Sequence, residues 1–294
     1  MPPFAPDSSV VERVEASPNF DERTGLARPD MIVLHYTGMQ FAHEAVHRLC
    51  DPKARVSSHY VVMDNGSILQ LVPEVKRAWH AGVSTWNGDP DINSRSIGIE
   101  ICNPGHDFGY PDFPARQIAA VITLCRSILT RNIIRPENIV AHSDVAPARK
   151  QDPGEKFPWK RLSQSNIGLW VEPVAITEGP VLQLKDTGDK VTELQKALVE
   201  YGYGLNVNGT YDQDTQEVVS GFQRHFRPAK VDGITDTSTR ETLRRLLVAK
   251  EFGGMQKAPG AQAAKRAAPQ PPKSDPSKQE ASKQQKPKGE PAAS

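Results

Sequence analysis

The stretch "MIVLHYTG" (Met31–Gly38) decides the fold. Its first residues form an apolar run too short for a helix, which reads as a buried strand. That strand ends on His35, and Tyr36-Thr37-Gly38 then reads as a turn. Downstream, "HYVVMDNGSILQLVP" (His59–Pro73) reads as two strands around an Asn65-Gly66 turn, a strong hairpin signal. "SIGIEIC" (Ser96–Cys102) is another strand, alternating Ile with Gly or Glu. In Pro114–Asn132, the residues Ile118, Val121, Ile122, Cys125, Ile128 and Leu129 fall at helical spacing. "NIVAH" (Asn138–His142) closes the set as a strand that again ends on a histidine. Strands mixed with helices in this way predict an α/β or α+β domain.

The chain has 294 residues, a prior of about two domains. Its 36 basic residues against 35 acidic ones argue against a dedicated nucleic-acid protein. No apolar run is long enough for a transmembrane helix. The first residues lack the basic start and apolar stretch of an export signal. The expectation is therefore a cytoplasmic protein, with the periplasm or cell envelope as the alternative. Cys50, Cys102 and Cys125 lie far apart, in neither disulfide-framework nor zinc-knuckle spacing.

The 25 prolines concentrate partly at the C-terminus. Residues 255–294 contain no Leu, Ile, Val or aromatic side chain, and hold eight Lys or Arg against three acidic residues. Such a segment cannot offset its ordering entropy and is expected to be disordered. "VEPVAITEGP" (Val171–Pro180) reads as a linker. Beyond it, "VNGTYDQDT" (Val207–Thr215) and "VDGITDTST" (Val231–Thr239) repeat V-x-G-x-x-D-x-x-T. Each Asp, Asp212 and Asp236, is placed to cap a following helix. With "KVTELQKALVEYG" before them, they predict a small three-helix module. It carries no cluster of catalytic residue types, so it reads as a binding domain separate from the chemistry.

Seven of the eight histidines lie in the first 142 residues. His35 and His142, each ending a buried strand, can meet at one sheet edge, and Asp152 follows in "RKQDPG". Two imidazoles and a carboxylate form a tripod suited to catalytic Zn2+ with a fourth position for water. Two structurally satisfied histidines would have the same spacing. Glu100, flanked by isoleucines, reads either as a general base of raised pKa or as a carboxylate that alternation turns to solvent. Lys150, two residues before Asp152 and on its side of an extended backbone, would stabilise a developing oxyanion or be a solvated loop charge. Trp79 and His80, in the loop after the hairpin, suit a sugar or peptide cleft as substrate-binding residues, and a half-buried Trp covering the core is an equally ordinary reading. His59 reads as a structural or supporting residue, and His43, His47 and His106 as surface residues. No phosphate loop, G-x-S-x-G elbow or H-E-x-x-H helix occurs.

Taken in order, "IVLHYT", "SSHYVV", "LVPEVKRAWHAG", "NSRSIGIEICNPG", "RPENIVAHSDVAPARKQDPG" and "FPW" closely resemble the type 2 zinc-dependent N-acetylmuramoyl-L-alanine amidases. Their fold is shared with peptidoglycan recognition proteins. The resemblance implies an α/β fold with a mixed central sheet flanked by helices. It makes His35, His142 and Asp152 zinc ligands, Glu100 the catalytic glutamate and Lys150 the transition-state lysine. Val181–Leu247 resembles a peptidoglycan-binding domain with "GFQ" (Gly221–Gln223) as its signature. The expected organisation is an N-terminal extension (1–27), a catalytic domain (28–170), a linker (171–180), a peptidoglycan-binding domain (181–248) and a tail (255–294). The implied partner is peptidoglycan or a muropeptide, and the implied state a monomer. A non-catalytic peptidoglycan receptor is the alternative.

Overall fold

The computed structural model describes residues 4–25 and 28–253, so the expected tail lies outside the described residues. Eight strands run in chain order: β1 (Arg13–Val14), β2 (Phe20–Glu22), β3 (Met31–Tyr36), β4 (Tyr60–Val62), β5 (Ile68–Gln70), β6 (Lys76–Ala78), β7 (Ser96–Ile101) and β8 (Ile139–Ala141). The helices are α1 (Ala42–Cys50), α2 (Ile92–Arg95), α3 (Ala115–Arg131), α4 (His142–Val145), α5 (Trp159–Ser163), α6 (Asp189–Tyr201), α7 (Gln213–Phe226) and α8 (Thr237–Gly253).

The main sheet has the order β1-β5-β4-β7-β3-β8. Only the β4–β5 hairpin is antiparallel, so the sheet is mixed and mostly parallel, flanked by helices as expected. Alternation divides its faces. Ile32 and Leu34 of β3, with Ile97, Ile99 and Ile101 of β7, pack on Ile118, Val121, Cys125 and Ile128 of α3. The remaining residues of those strands, Met31, Val33 and His35 with Ser96, Gly98 and Glu100, point to the opposite face. At the β4–β5 end that opposite face is covered by Leu49 of α1. At the β3–β8 end it is covered by the loop around Trp86 and by the helical module.

Two expected boundaries change. The N-terminal segment is not a free extension: β1 pairs in parallel with β5 at the sheet edge, and β2 pairs with β6. The Arg23 guanidinium reaches inward to donate to the carbonyls of Asn93, Ser94 and Ser96. His142 does not end a strand either. β8 stops at Ala141, and His142 opens the one-turn helix α4.

The module contains the expected helices, α8 extending to Gly253. Its repeat has a physical basis. In the first turn Gln195 accepts the N–H groups of Asn208 and Gly209 and donates to the Thr210 carbonyl. In the second turn Gln223 accepts from Asp232 and Gly233 and donates to the Ile234 carbonyl. Asp212 and Asp236 then accept the Thr215 and Thr239 N–H groups as caps. The module packs directly on the sheet. Met31, Val33, Trp86, Val140 and Val145 share one apolar cluster with Leu198, Tyr203, Val218, Phe222 and Phe226 of the module. A module with an apolar face of its own buries it on whatever apolar surface is nearest, and here that is the back of the sheet.

Candidate active site

His35 lies near the carboxyl end of β3, the end where open parallel sheets place ligands. Its Nδ1 lies 2.9 Å from Nδ1 of His142 and 3.0 Å from Oδ2 of Asp152, and His142 Nδ1 is also 3.0 Å from that oxygen. Among the described residues this is the one group of such side chains converging closely enough for a metal ion, and all three are buried. Asp152 reaches it from a loop pinned at both ends. Its carbonyl accepts the Ser143 N–H at 3.0 Å, and the next carbonyl, of Pro153, accepts the Tyr110 hydroxyl at 2.7 Å.

The far nitrogens of both imidazoles are already committed. His142 Nε2 donates to the Ala81 carbonyl at 3.1 Å. His35 Nε2 lies 3.1 Å from Nδ1 of His80, whose Nε2 lies 3.1 Å from the Ser96 hydroxyl. That hydroxyl donates to the Ile92 carbonyl at 2.6 Å. A carbonyl can only accept, so the chain has one consistent direction: His35 donates to His80, His80 to Ser96, and Ser96 to Ile92. His35 is thereby left with its Nδ1 lone pair turned toward Asp152, and His142 turns its own Nδ1 to the same oxygen. Burial, followed by repulsion from His142, lowers the His35 pKa to about 4, so the ring is neutral at pH 7. Burial alone would raise the Asp152 carboxyl, but His142 and His35 beside it outweigh burial and hold the group well below the usual carboxylate range. Two imidazole nitrogens and a carboxylate oxygen are the donor set of a catalytic zinc site.

His80, expected against substrate, supports His35 from behind. It is buried behind His35, and it fits there because position 98 is glycine: a Cβ on Gly98 would lie 2.5 Å from its ring. Asn93 secures its backbone by accepting the N–H groups of His80 and Ala81. Trp79, the other residue expected against substrate, is half-buried beneath the Arg55 guanidinium.

Glu100 pairs in register with His35 across β7 and β3. Alternation does turn it away from the isoleucines, and on that opposite face the residue is half-buried. Its Oε2 is shut off from water and has no hydrogen-bond partner. Burial, reinforced by the Asp152 charge, raises its pKa well above the ordinary value, while Lys150 acts in the opposite sense. Lys150 is half-buried, and its charge bears on both His35 and Glu100. Its backbone is not extended as expected: the Lys150 N–H closes a turn onto the Ala146 carbonyl. His106, expected at the surface, is part-buried and pairs its Nδ1 with the Tyr36 hydroxyl at 2.9 Å. Ser96 and Asn93 escaped sequence reasoning, since a serine and an asparagine beside a strand carry no signal without the histidine they serve.

A buried histidine pair and carboxylate that converge on one point, with a second carboxyl group of raised pKa alongside, fit a metal-dependent hydrolase. The family profile described as N-acetylmuramoyl-L-alanine amidase matches residues 25–155, and a peptidoglycan binding domain profile matches residues 187–243. The amidase AmiD of Escherichia coli (strain K12) is 38% identical over 232 residues, 75% of this chain and 83% of that protein. The 1,6-anhydro-N-acetylmuramyl-L-alanine amidase AmpD of Citrobacter freundii is 36% identical over 164 residues, 50% of this chain and 85% of that protein. The structure of E. coli AmiD with the substrate anhydro-N-acetylmuramic acid-L-Ala-D-gamma-Glu-L-Lys superposes with a TM-score of 0.64 at 35% identity, covering 80% of this chain and 98% of that one. Pseudomonas aeruginosa AmpDh3 with anhydromuramic pentapeptide gives 0.62 at 32% identity, covering 79% and 96%. The chain belongs to the N-acetylmuramoyl-L-alanine amidase family.

Proposed function

We propose that this enzyme hydrolyses the amide between the lactyl group of N-acetylmuramic acid, or its anhydro form, and L-alanine, in cell-wall turnover and recycling. The observation that carries the reading is the convergence of His35 Nδ1, His142 Nδ1 and Asp152 Oδ2 within 3.0 Å of one another, with Glu100 in register beside His35. These three atoms would hold Zn2+. When bound, the ion supplies Lewis acidity that polarises the amide carbonyl and acidifies water. Glu100, its carboxyl raised by burial, takes the proton of the attacking water and delivers it to the leaving L-alanine nitrogen. The Lys150 ammonium stabilises negative charge growing on the carbonyl oxygen.

The helical module would hold the polymer near the site, raising its effective concentration. Among the described residues no helix is long and apolar enough to cross a membrane. The compartment follows the substrate, with intact polymer implying the envelope and soluble muropeptide the cytoplasm, and cell fractionation distinguishes them. An intact donor set beside a base of raised pKa favours this enzyme over a receptor that binds without cutting.

The test is direct. The purified chain should carry one zinc and release the stem peptide from an anhydro-muropeptide, and His35→Ala or His142→Ala should lose metal and turnover together. Full turnover in either variant without zinc would sink the assignment.

A further inference from the structure

At four residues, α4 is too short to hold its own conformation, yet it begins with His142. What fixes it is Asp144, whose side chain is 0% exposed. Asp144 Oδ2 accepts the N–H of Ala141, the residue just before His142, at 2.7 Å. Its other two partners come from the helical module. The Tyr203 hydroxyl donates to Oδ1 at 2.7 Å, and His225 Nδ1 donates to Oδ2 at 2.6 Å.

The grip continues around these contacts. The His225 ring is stacked between Trp159 and Phe226, each centroid 3.7 Å away. One turn earlier on α7, Gly221 passes so close that a Cβ there would lie 2.6 Å from the Ser143 carbonyl. The Ser143 N–H in turn donates to the Asp152 carbonyl. Both residues that follow His142 are thus held by the module, and one of them is tied to the backbone of the third converging residue.

A carboxylate in an apolar interface costs desolvation that an apolar side chain of the same size would avoid. Asp144 adds nothing to packing that a leucine could not supply. Its three directed bonds do something a leucine cannot, which is to fix the orientation of a one-turn helix. We propose that Tyr203 and His225 are positioning residues of the metal centre: acting through Asp144, they orient His142, so the helical module completes the zinc site. This rests on the reading of His35, His142 and Asp152 as zinc ligands.

The experiment uses the full chain and measures zinc affinity by competition with a chelator, together with the melting temperature of the metal-free protein. Tyr203→Phe and His225→Leu should each bind zinc about ten- to a hundredfold more weakly than wild type, as is usual when a residue supporting a ligand is lost. His225→Asn, whose amide nitrogen can take the place of Nδ1, should recover most of that affinity. Leu198→Ala, which opens a cavity in the shared apolar cluster but removes no hydrogen-bond partner of Asp144, should lower the melting temperature and leave zinc affinity unchanged. Should His225→Leu fail to fold, Tyr203→Phe decides, since it removes a single oxygen. Wild-type affinity in Tyr203→Phe, or a Leu198→Ala variant that loses zinc equally, overturns the proposal. A wild-type chain that binds no zinc overturns the ligand assignment and this proposal with it. Zinc bound equally by wild type and Tyr203→Phe overturns the proposal alone.

Discussion

His35 and Glu100 are register partners on adjacent parallel strands, and their side chains leave the sheet on the same face. The fold thereby sets an imidazole of the proposed metal site and a carboxyl of raised pKa side by side with no loop between them. Rigid strands hold such a pair more closely than loops can.

The first prediction concerns Glu100. Glu100→Gln keeps the shape but removes the base, so zinc should remain while turnover falls by ~10²–10⁴. Stability should move the other way. Because the folded-state pKa lies well above the ordinary value, the folded protein keeps a proton that the unfolded chain releases, and stability falls as pH rises through that window. The metal-free variant should therefore melt higher than metal-free wild type at pH 8, with a smaller difference at pH 4. A near-wild-type rate in Glu100→Gln would show that this carboxylate does no chemistry.

The second concerns the chain of hydrogen bonds behind His35. Ser96→Ala removes the acceptor of His80 and leaves a buried N–H unpaired, at a cost of ~1–3 kcal/mol. Zinc affinity should fall by about tenfold, although neither Ser96 nor His80 would touch the metal. Gly98→Ala should do more, because its methyl group occupies the place of the His80 ring. Unchanged zinc titrations in both variants would show that His35 needs no support.

The third is the response to acid. In the metal-free protein, burial lowers His59 to about 3 and His35 to about 4, and takes His80 well below the ordinary value. A histidine whose folded pKa is depressed contributes stability that is complete above ~6.5 and is lost as pH falls toward the folded value. Glu100 works in the opposite direction over part of this range, so net uptake on unfolding approaches two protons near pH 5.5. Stability should then drop by about 3 kcal/mol per pH unit. Denaturant titrations at pH 7, 6 and 5 measure the slope, and a flat profile would mean these rings are protonated in the fold.

The fourth is truncation. A chain ending at Trp170 retains every proposed metal and catalytic residue, and sequence alone predicts that it hydrolyses soluble muropeptides. The shared cluster predicts otherwise: Met31, Val33, Trp86, Val140 and Val145 lose their covering and Asp144 loses two of its three partners. The truncated chain should lack a cooperative melting transition and a near-ultraviolet signal. Cooperative unfolding with full activity on muropeptides would restore the module to an appended anchor.

The sequence by itself determined the strands around His35, Glu100 and His142, the helix over Ala115–Arg131 and the repeated caps at Asp212 and Asp236. These follow from periods of two and 3.6 residues and from cap and turn chemistry, which act within a few residues. The ordered motifs, read together, also singled out the three converging residues. Only the tertiary structure decided what covers each face. Alternation in "SIGIEI" places Ser96, Gly98 and Glu100 on one side of β7, but it cannot say whether water, an imidazole or a helix lies there. The same limit hid His80 behind His35, started a helix at His142 and fused the module to the sheet through Tyr203 and His225. Each of these outcomes depends on contacts between residues far apart in the chain, made when separate apolar faces find a common core, and no local period encodes which faces will meet.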